Sequence, residues 1–494
     1  MATSIPFASA LAVVLDLTLL ISVAPSQCTT DWSTGGNAGV GGPLTAVAPL
    51  ADGGIAGAAL LSVASGATQV LRFDGTTWQP LGGTTNGQVK ALVALPNGDL
   101  VAGGRFTAIG PVSAIALARW DGQAWSSFGG GANGFVEALL VLPNGDLVVG
   151  GQFTAVGGTN ANRIALHDGS GWQALGSGIG FAGVNALARL PAGDIVAAGA
   201  FLMAGGNPAP SIARWNGSAW NALPPAFNQL GGSFYALQTL PNGDLAAAGG
   251  FTGGLRRWDG TSWSDFGGAT LDSTAESFAV LPNGDLVVGG HFTAVSTIGS
   301  TPHIARWNGT TWSALGSGVD GAVIDLAMLP AGRLVAGGVF TVVAGNAQPH
   351  VAFLDSDCPA SAVAAGAGCS GSAGLNELSA TNLPWTGSTF RATAVGMTQN
   401  ALAVALFGLT PQSVALSTLV PEAVAGCALL ASTESAQLLL PSAGSAATQL
   451  AIPNSVVFAG VTLYHQVVAA ELSPQNRVTA VTSTNALAFT IGTF

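Results

Sequence analysis

The sequence predicts an all-β protein, a seven-bladed β-propeller of four-stranded antiparallel blades followed by a β-sandwich domain. Three observations carry this reading. The decapeptide LPNGDLVVGG stands at Leu142–Gly151 and again at Leu281–Gly290. Its proline recurs as Pro96, Pro143, Pro191, Pro241, Pro282 and Pro330, at steps of 47, 48, 50, 41 and 48 residues, with Pro49 a degenerate earlier copy. A second landmark keeps pace with it: FDGTTW, WDGQAW, HDGSGW, WNGSAW, WDGTSW and WNGTTW end at Trp78, Trp125, Trp172, Trp220, Trp263 and Trp312. Periods of roughly 40 to 50 residues mark propeller blades or solenoid units. Charged residues make up 7% of the chain and 71 positions are glycine, a composition that suits short strands and many turns.

From the N-terminus, the apolar run Ala10–Ala24 followed by small residues reads as a signal peptide over residues 1–26. Asp16 interrupts the run and no Lys or Arg precedes it, which leaves an uncleaved anchor as the alternative. No later stretch of about 18 apolar residues predicts a membrane-spanning helix. The chain is therefore expected to be secreted, at the cell surface or periplasmic. Four cysteines in an oxidising compartment imply two disulfides.

Residues 27–357 are assigned to the propeller. Within each unit, NG and DG dipeptides separate four β-rich runs, and type I′ hairpin turns are expected at them because glycine tolerates positive φ. Runs such as DLVVGG are apolar without alternation, so both faces of each blade are buried against neighbours. The fourth-strand tryptophans are read as packing between blades. The last unit lacks its Trp strand, whereas the mature N-terminus opens with DWSTGG, a Trp strand without its predecessors. The two ends complete one blade, and a ring closed in this way has no free edge. Because Cys28 and Cys358 lie where other blades have their last hairpin, they are expected to pair, leaving Cys369 with Cys427. Such a cross-link over a long loop contributes up to about 4 to 5 kcal/mol in chain-entropy terms.

The unit GGxFTAxGG…IARWDGxxWxxLGxG…GxVxAL resembles the repeats of secreted kelch-like and delta-60-like bacterial propellers, and of fungal Rax2-type cortical marker propellers. The resemblance implies a fold and display outside the cytoplasm. Residues 358–494 contain no Asp and no Lys. Their alternating strands and Pro/Ser breaks predict a sandwich of about eight strands. Its string GAGCSGSAG…LSATNLPWTGSTF…AGCALLAS resembles the C-terminal β-domain of many secreted planctomycete-type proteins.

A net charge of −11 with Lys90 as the sole lysine excludes a nucleic-acid partner. There is no P-loop, nucleophile elbow or H-E-x-x-H motif. Asp99, Asp146, Asp194, Asp244 and Asp285 recur at the NGD turn and Asp74, Asp121, Asp168 and Asp259 at the DG turn, where Asp caps local backbone. Glu137, Asp265, Asp272, Glu276, Asp320 and Asp325 fall outside that pattern. No catalytic residue, metal ligand or cofactor is assigned; calcium is the one cation the loops leave open.

The PNGD and DG turns share one rim and barely change, while the connections on the opposite rim vary. Variable loops on a constant scaffold are where binding concentrates. The candidate ligand-binding residues are Arg163, Asn228, Tyr235, Arg256, Asp272, His303, Asp320 and His350. The expected function is a non-catalytic binding or surface-display propeller, monomeric, recognising glycan or protein ligands. The alternatives are a propeller-type carbohydrate-active hydrolase or lyase and an envelope scaffold.

Overall fold

The computed structural model describes residues 30–33, 40–224, 233–251, 253–329, 332–347, 349–356, 360–453 and 455–493. Among them every regular element is a β-strand except short 3₁₀ turns at Leu416–Thr418 and Val456–Phe458. The chain divides into a unit spanning Asp31–Asp355 and a second one built on Ser356–Phe494.

In the first unit the described residues form seven four-stranded antiparallel sheets. Blades 1 to 7 begin with Leu44–Pro49, Gln88–Ala94, Val136–Val141, Val184–Arg189, Phe234–Thr239, Ala275–Val280 and Val323–Met328. These first strands pack each against the next, and that of blade 7 packs against that of blade 1, so the sheets close into a ring. Blade 7 is completed across the chain: Leu334–Gly338, Val351–Ser356 and finally Thr30–Ser33 follow its first strand in hydrogen-bonded order. The split landmark of the sequence is thus a strand exchange that completes the fourth strand of blade 7.

The turns depart from the expected I′ geometry. Only their glycines carry positive φ, 91° at Gly98 and 96° at Gly122. The preceding Asn or Asp stays in ordinary backbone space because its side chain holds the turn, as Asp121 does by accepting from the Gln123 and Ala124 N–H groups at 2.9 and 2.8 Å. The NGD carboxylate has a second partner that the sequence reading missed, the arginine of the ARW strand. Asp99–Arg119 (2.7 Å), Asp194–Arg214 (3.2 Å), Asp285–Arg306 (2.6 Å) and Asp244–Arg257 are all such pairs.

The fourth-strand tryptophans pack between blades. Trp32, Trp125, Trp172, Trp220, Trp263 and Trp312 each donate their indole N–H to a carbonyl of the preceding blade, at 2.6 to 3.1 Å. Trp78, at 2% exposure, buries the same group with no acceptor among the described residues.

In the second unit, a six-stranded sheet (Ser361–Ala365, Ala486–Thr490, Thr462–Leu472, Ala401–Gly408, Ser435–Leu439 and Val478–Ser483) shares one apolar core with a three-stranded sheet. The latter is Glu377–Ala380, Thr389–Val395 and Ala446–Ala451. Phe390 of the smaller sheet stacks on Phe489 of the larger with centroids 4.3 Å apart. The Cys369–Cys427 disulfide is formed. The second expected bridge, Cys28–Cys358, lies outside the described residues.

Candidate functional site

Each first strand begins by breaking register. In all seven blades a β-bulge leaves one residue unpaired: Thr45, Lys90, Glu137, Asn185, Tyr235, Glu276 and Ile324. A bulge re-aims the side chain it releases from the ladder. All seven stand at the strand end away from the PNGD turn, so they ring one mouth of the central channel. The residues around them barely vary, being apolar before the bulge and most often alanine after it.

Several of these side chains stitch blades together. The Thr45 hydroxyl donates to the Val89 carbonyl at 2.9 Å, and the Asn185 amide donates to the Phe234 carbonyl at 3.0 Å. Arg105, at the end of a second strand, pairs with Glu137 at 2.7 Å. Glu276 accepts from the Thr274 hydroxyl at 3.1 Å and lies 3.8 Å from the imidazole of His291. Lys90 is half-buried and, among the described residues, its ammonium has no hydrogen-bond or ion-pair partner. Desolvation pulls its pKa below the ordinary lysine value; Glu137 and Glu276 oppose that shift and Arg105 adds to it. Lys90 belongs to blade 2 and Glu276 to blade 6, so their mutual influence acts across the channel mouth.

One step further in, Asp325 occupies a position that is alanine in five other blades. Its carboxylate accepts from the Val47 N–H at 2.8 Å and from the Ser277 hydroxyl at 2.9 Å. Although the residue as a whole keeps some exposure, the carboxyl group is enclosed, and burial raises its pKa to about 6 against those hydrogen bonds.

The structure gives most of the seven described candidate residues local tasks and spreads them over blades 3, 5, 6 and 7. Tyr235 is a bulge residue, 37% exposed. Arg163, His303 and His350 share one backbone position with Ala116 and Ser211, all with φ between 60° and 73° just before a third strand. Each donates its N–H to the carbonyl of a phenylalanine, for example Arg163 to Phe153 and His303 to Phe292, both at 2.8 Å. Desolvation lowers the His350 pKa.

Asp272 and Asp320 clamp loops. Asp272 accepts from the Thr293 and Ala294 N–H groups at 2.8 and 3.0 Å, and Asp320 from Thr341 and Val342 at 2.7 and 2.8 Å. The Thr293 hydroxyl and these amides hold the Asp272 pKa below the usual carboxylate value. Arg256 donates to its own strand, at the Leu255 carbonyl, 2.7 Å away, and covers the Phe251 ring. Asn228 lies outside the described residues.

Sequence reasoning missed Lys90, Glu137, Asn185 and Glu276 as members of one ring. The signal was the free position in the motif GxVxAL, the single variable residue between constant neighbours.

The residues Leu142–Leu166, from the turn of blade 3 into its third strand, match the model of a domain of unknown function (DUF5122) described as a beta-propeller. No curated protein matches the sequence. Solved structures similar to the chain include the extracellular domain of the putative hybrid two-component system BT3049 from B. thetaiotaomicron, at 10% identity and a TM-score of 0.45. That match covers 95% of this chain and 58% of the other, so the chain spans little more than half of that protein. The WD40 propeller domain of Doa1 matches at 14% identity and a TM-score of 0.45, covering 66% of this chain and 97% of its own. PorZ, a surface component of the type-IX secretion system of Porphyromonas gingivalis, matches at 12% identity and a TM-score of 0.42, covering 90% and 59%.

Proposed function

We propose that the chain is a non-catalytic binding module working outside the cytoplasm, and that its ligand, a glycan or a protein, sits over the bulged mouth of the ring. The observation that carries this reading is the set of seven bulges: a fixed scaffold releases one variable side chain per blade toward a common centre. Lys90, without a partner among the described residues, and the exposed Tyr235 stand there beside Glu276 as a charged and aromatic surface. Two of the acids a hydrolase could use are otherwise engaged, Glu137 with Arg105 and Asp325 with two neighbouring blades. The Cys369–Cys427 disulfide supports an oxidising compartment. So do the N-terminal apolar run and the resemblance of both segments to secreted kelch-like and planctomycete-type domains.

The test is retention on immobilised oligosaccharides and envelope proteins, comparing wild type with a Lys90→Ala, Tyr235→Ala, Glu276→Ala triple variant. Ligands held by the wild type should be released by the triple variant at unchanged fold. Equal retention by both proteins would sink the reading.

A further inference from the structure

Blade 4 breaks a rule that four other blades keep. Where the chain enters a first strand, Asn86, Asn133, Asp272 and Asp320 each accept from two successive backbone N–H groups 21 and 22 residues later, beginning at Thr107, Thr154, Thr293 and Thr341. In blade 4, Gly180 holds that place, pairing with Met203; a Cβ there would come within 2.9 Å of the Met203 Cβ, so no Asn or Asp fits. Leu202 replaces the threonine and is 47% exposed. One extra residue follows Gly180: Phe181, 71% exposed, at a φ of 72°. Left-handed backbone disfavours an aromatic residue, and an exposed ring gains nothing from burial. The loop gives up two hydrogen bonds and turns two apolar side chains to water, which is a cost to the fold.

The residues flanking Phe181 in the chain are held by polar and positive groups. Arg163 donates one N–H to the carbonyl of Ile179, 3.1 Å away, and the rest of its guanidinium has no other partner among the described residues. Gln152, exposed, lies so close over Gly183 that a Cβ there would meet its Cγ at 2.6 Å. Its backbone N–H donates to the carbonyl of Phe135, whose ring is 45% exposed beneath the Arg105 guanidinium. The one carboxylate in this arc, Glu137, is already paired with Arg105. Charge is therefore divided around the rim: Lys90, Arg105 and Arg163 stand on blades 2 and 3 with Glu137 the one acid among them, and Asp272, Glu276 and Asp320 on blades 6 and 7.

We propose that this arc binds an acidic glycan, with the apolar face of a hexuronate ring on Phe181 and its carboxylate on the open edge of Arg163. This rests on the binding reading above and narrows it to one ligand class. An aromatic face, an amide and a guanidinium match a pyranose that carries C–H groups, hydroxyls and a carboxylate. An apolar peptide would use Phe181 and Leu202 but leave the cations unanswered.

The experiment is calorimetric titration of the full chain with tetramers of galacturonate and mannuronate, and with tetramers of galactose and mannose. The uronates should bind at least tenfold more tightly and weaken as salt rises. Phe181→Asn, which suits left-handed backbone, should keep or raise the thermal midpoint and weaken uronate binding at least tenfold. Arg163→Gln should abolish the preference for uronates over neutral tetramers. Preference of the wild type for neutral tetramers or for apolar peptides, or undiminished uronate binding by Phe181→Asn, overturns the inference. If Phe181→Asn still binds uronates but the Lys90, Tyr235 and Glu276 variant does not, only this inference fails; if both still bind, the mouth reading fails with it.

Discussion

The Asp325 carboxylate accepts a hydrogen bond from the Val47 N–H at 2.8 Å, joining the last blade of the ring to the first. The same carboxylate holds Ser277 of blade 6, so one side chain spans three blades where five others use alanine. Because burial raises its pKa to about 6, the folded ring holds this proton more tightly than the unfolded chain does. The stability it provides is full below the ordinary value near 4 and is lost as pH rises through 6. In denaturant titrations at pH 4 and pH 7, Asp325→Asn should gain about 2 kcal/mol relative to wild type at the higher pH. An equal difference at both pH values would refute this.

The indole bonds predict unequal tryptophan substitutions. Trp220→Phe removes a buried N–H that donates to the Leu175 carbonyl and leaves that carbonyl with the Gly178 N–H alone. Trp78→Phe removes a buried N–H that has no acceptor among the described residues. With similar loss of packing, Trp220→Phe should cost about 1 kcal/mol more than Trp78→Phe in equilibrium unfolding.

In the second unit, His465 is fully buried, with Nδ1 2.9 Å from the Leu406 carbonyl and Nε2 2.8 Å from the Thr448 hydroxyl. Desolvation holds its pKa down to about 4. The neutral imidazole therefore stabilises this unit fully above the ordinary value of 6.5, and that contribution is lost as pH falls from there toward 4. Fluorescence of Trp385 should report acid-induced loosening in the wild type, by about 3 kcal/mol across that window, and a flatter profile in His465→Gln.

The exchange of strands in blade 7 places Thr30–Ser33 beside Val351–Ser356. Cys28 and Cys358 flank those strands in the sequence. We expect them to be joined, and a peptide map without reduction should recover a Cys28–Cys358 cross-linked pair beside Cys369–Cys427. Reduction should then lower the thermal midpoint of the ring; recovery of Cys358 as a free thiol would count against the pairing.

Turns and landmark tryptophans made the blades legible in the sequence, because Pro, Asn, Gly and Asp at fixed offsets leave the chain few conformations. The bulge was not legible. Lys90 in QVKAL and Glu137 in FVEAL look like ordinary alternation, and only the register shift between Val89 and Ala91 shows Lys90 standing outside the ladder. Asp272 and Asp320 stood out because their surrounding loops differ. Their work is tied to a threonine 21 residues on, a spacing visible only when Asn86 and Asn133 are recognised as the same position.

Strand exchange at blade 7 also bears on how the ring is made. During synthesis or export the Thr30–Ser33 segment emerges early, yet its partner strand follows more than 300 residues later. Six blades can form hairpin by hairpin from local contacts, but the seventh waits for the whole ring. Until then Val351–Ser356 is the open outer edge of a three-stranded sheet, the state most exposed to mispairing between molecules. Closure is thus the last step of assembly, and a chain without Thr30–Ser33 would leave that outer edge bare.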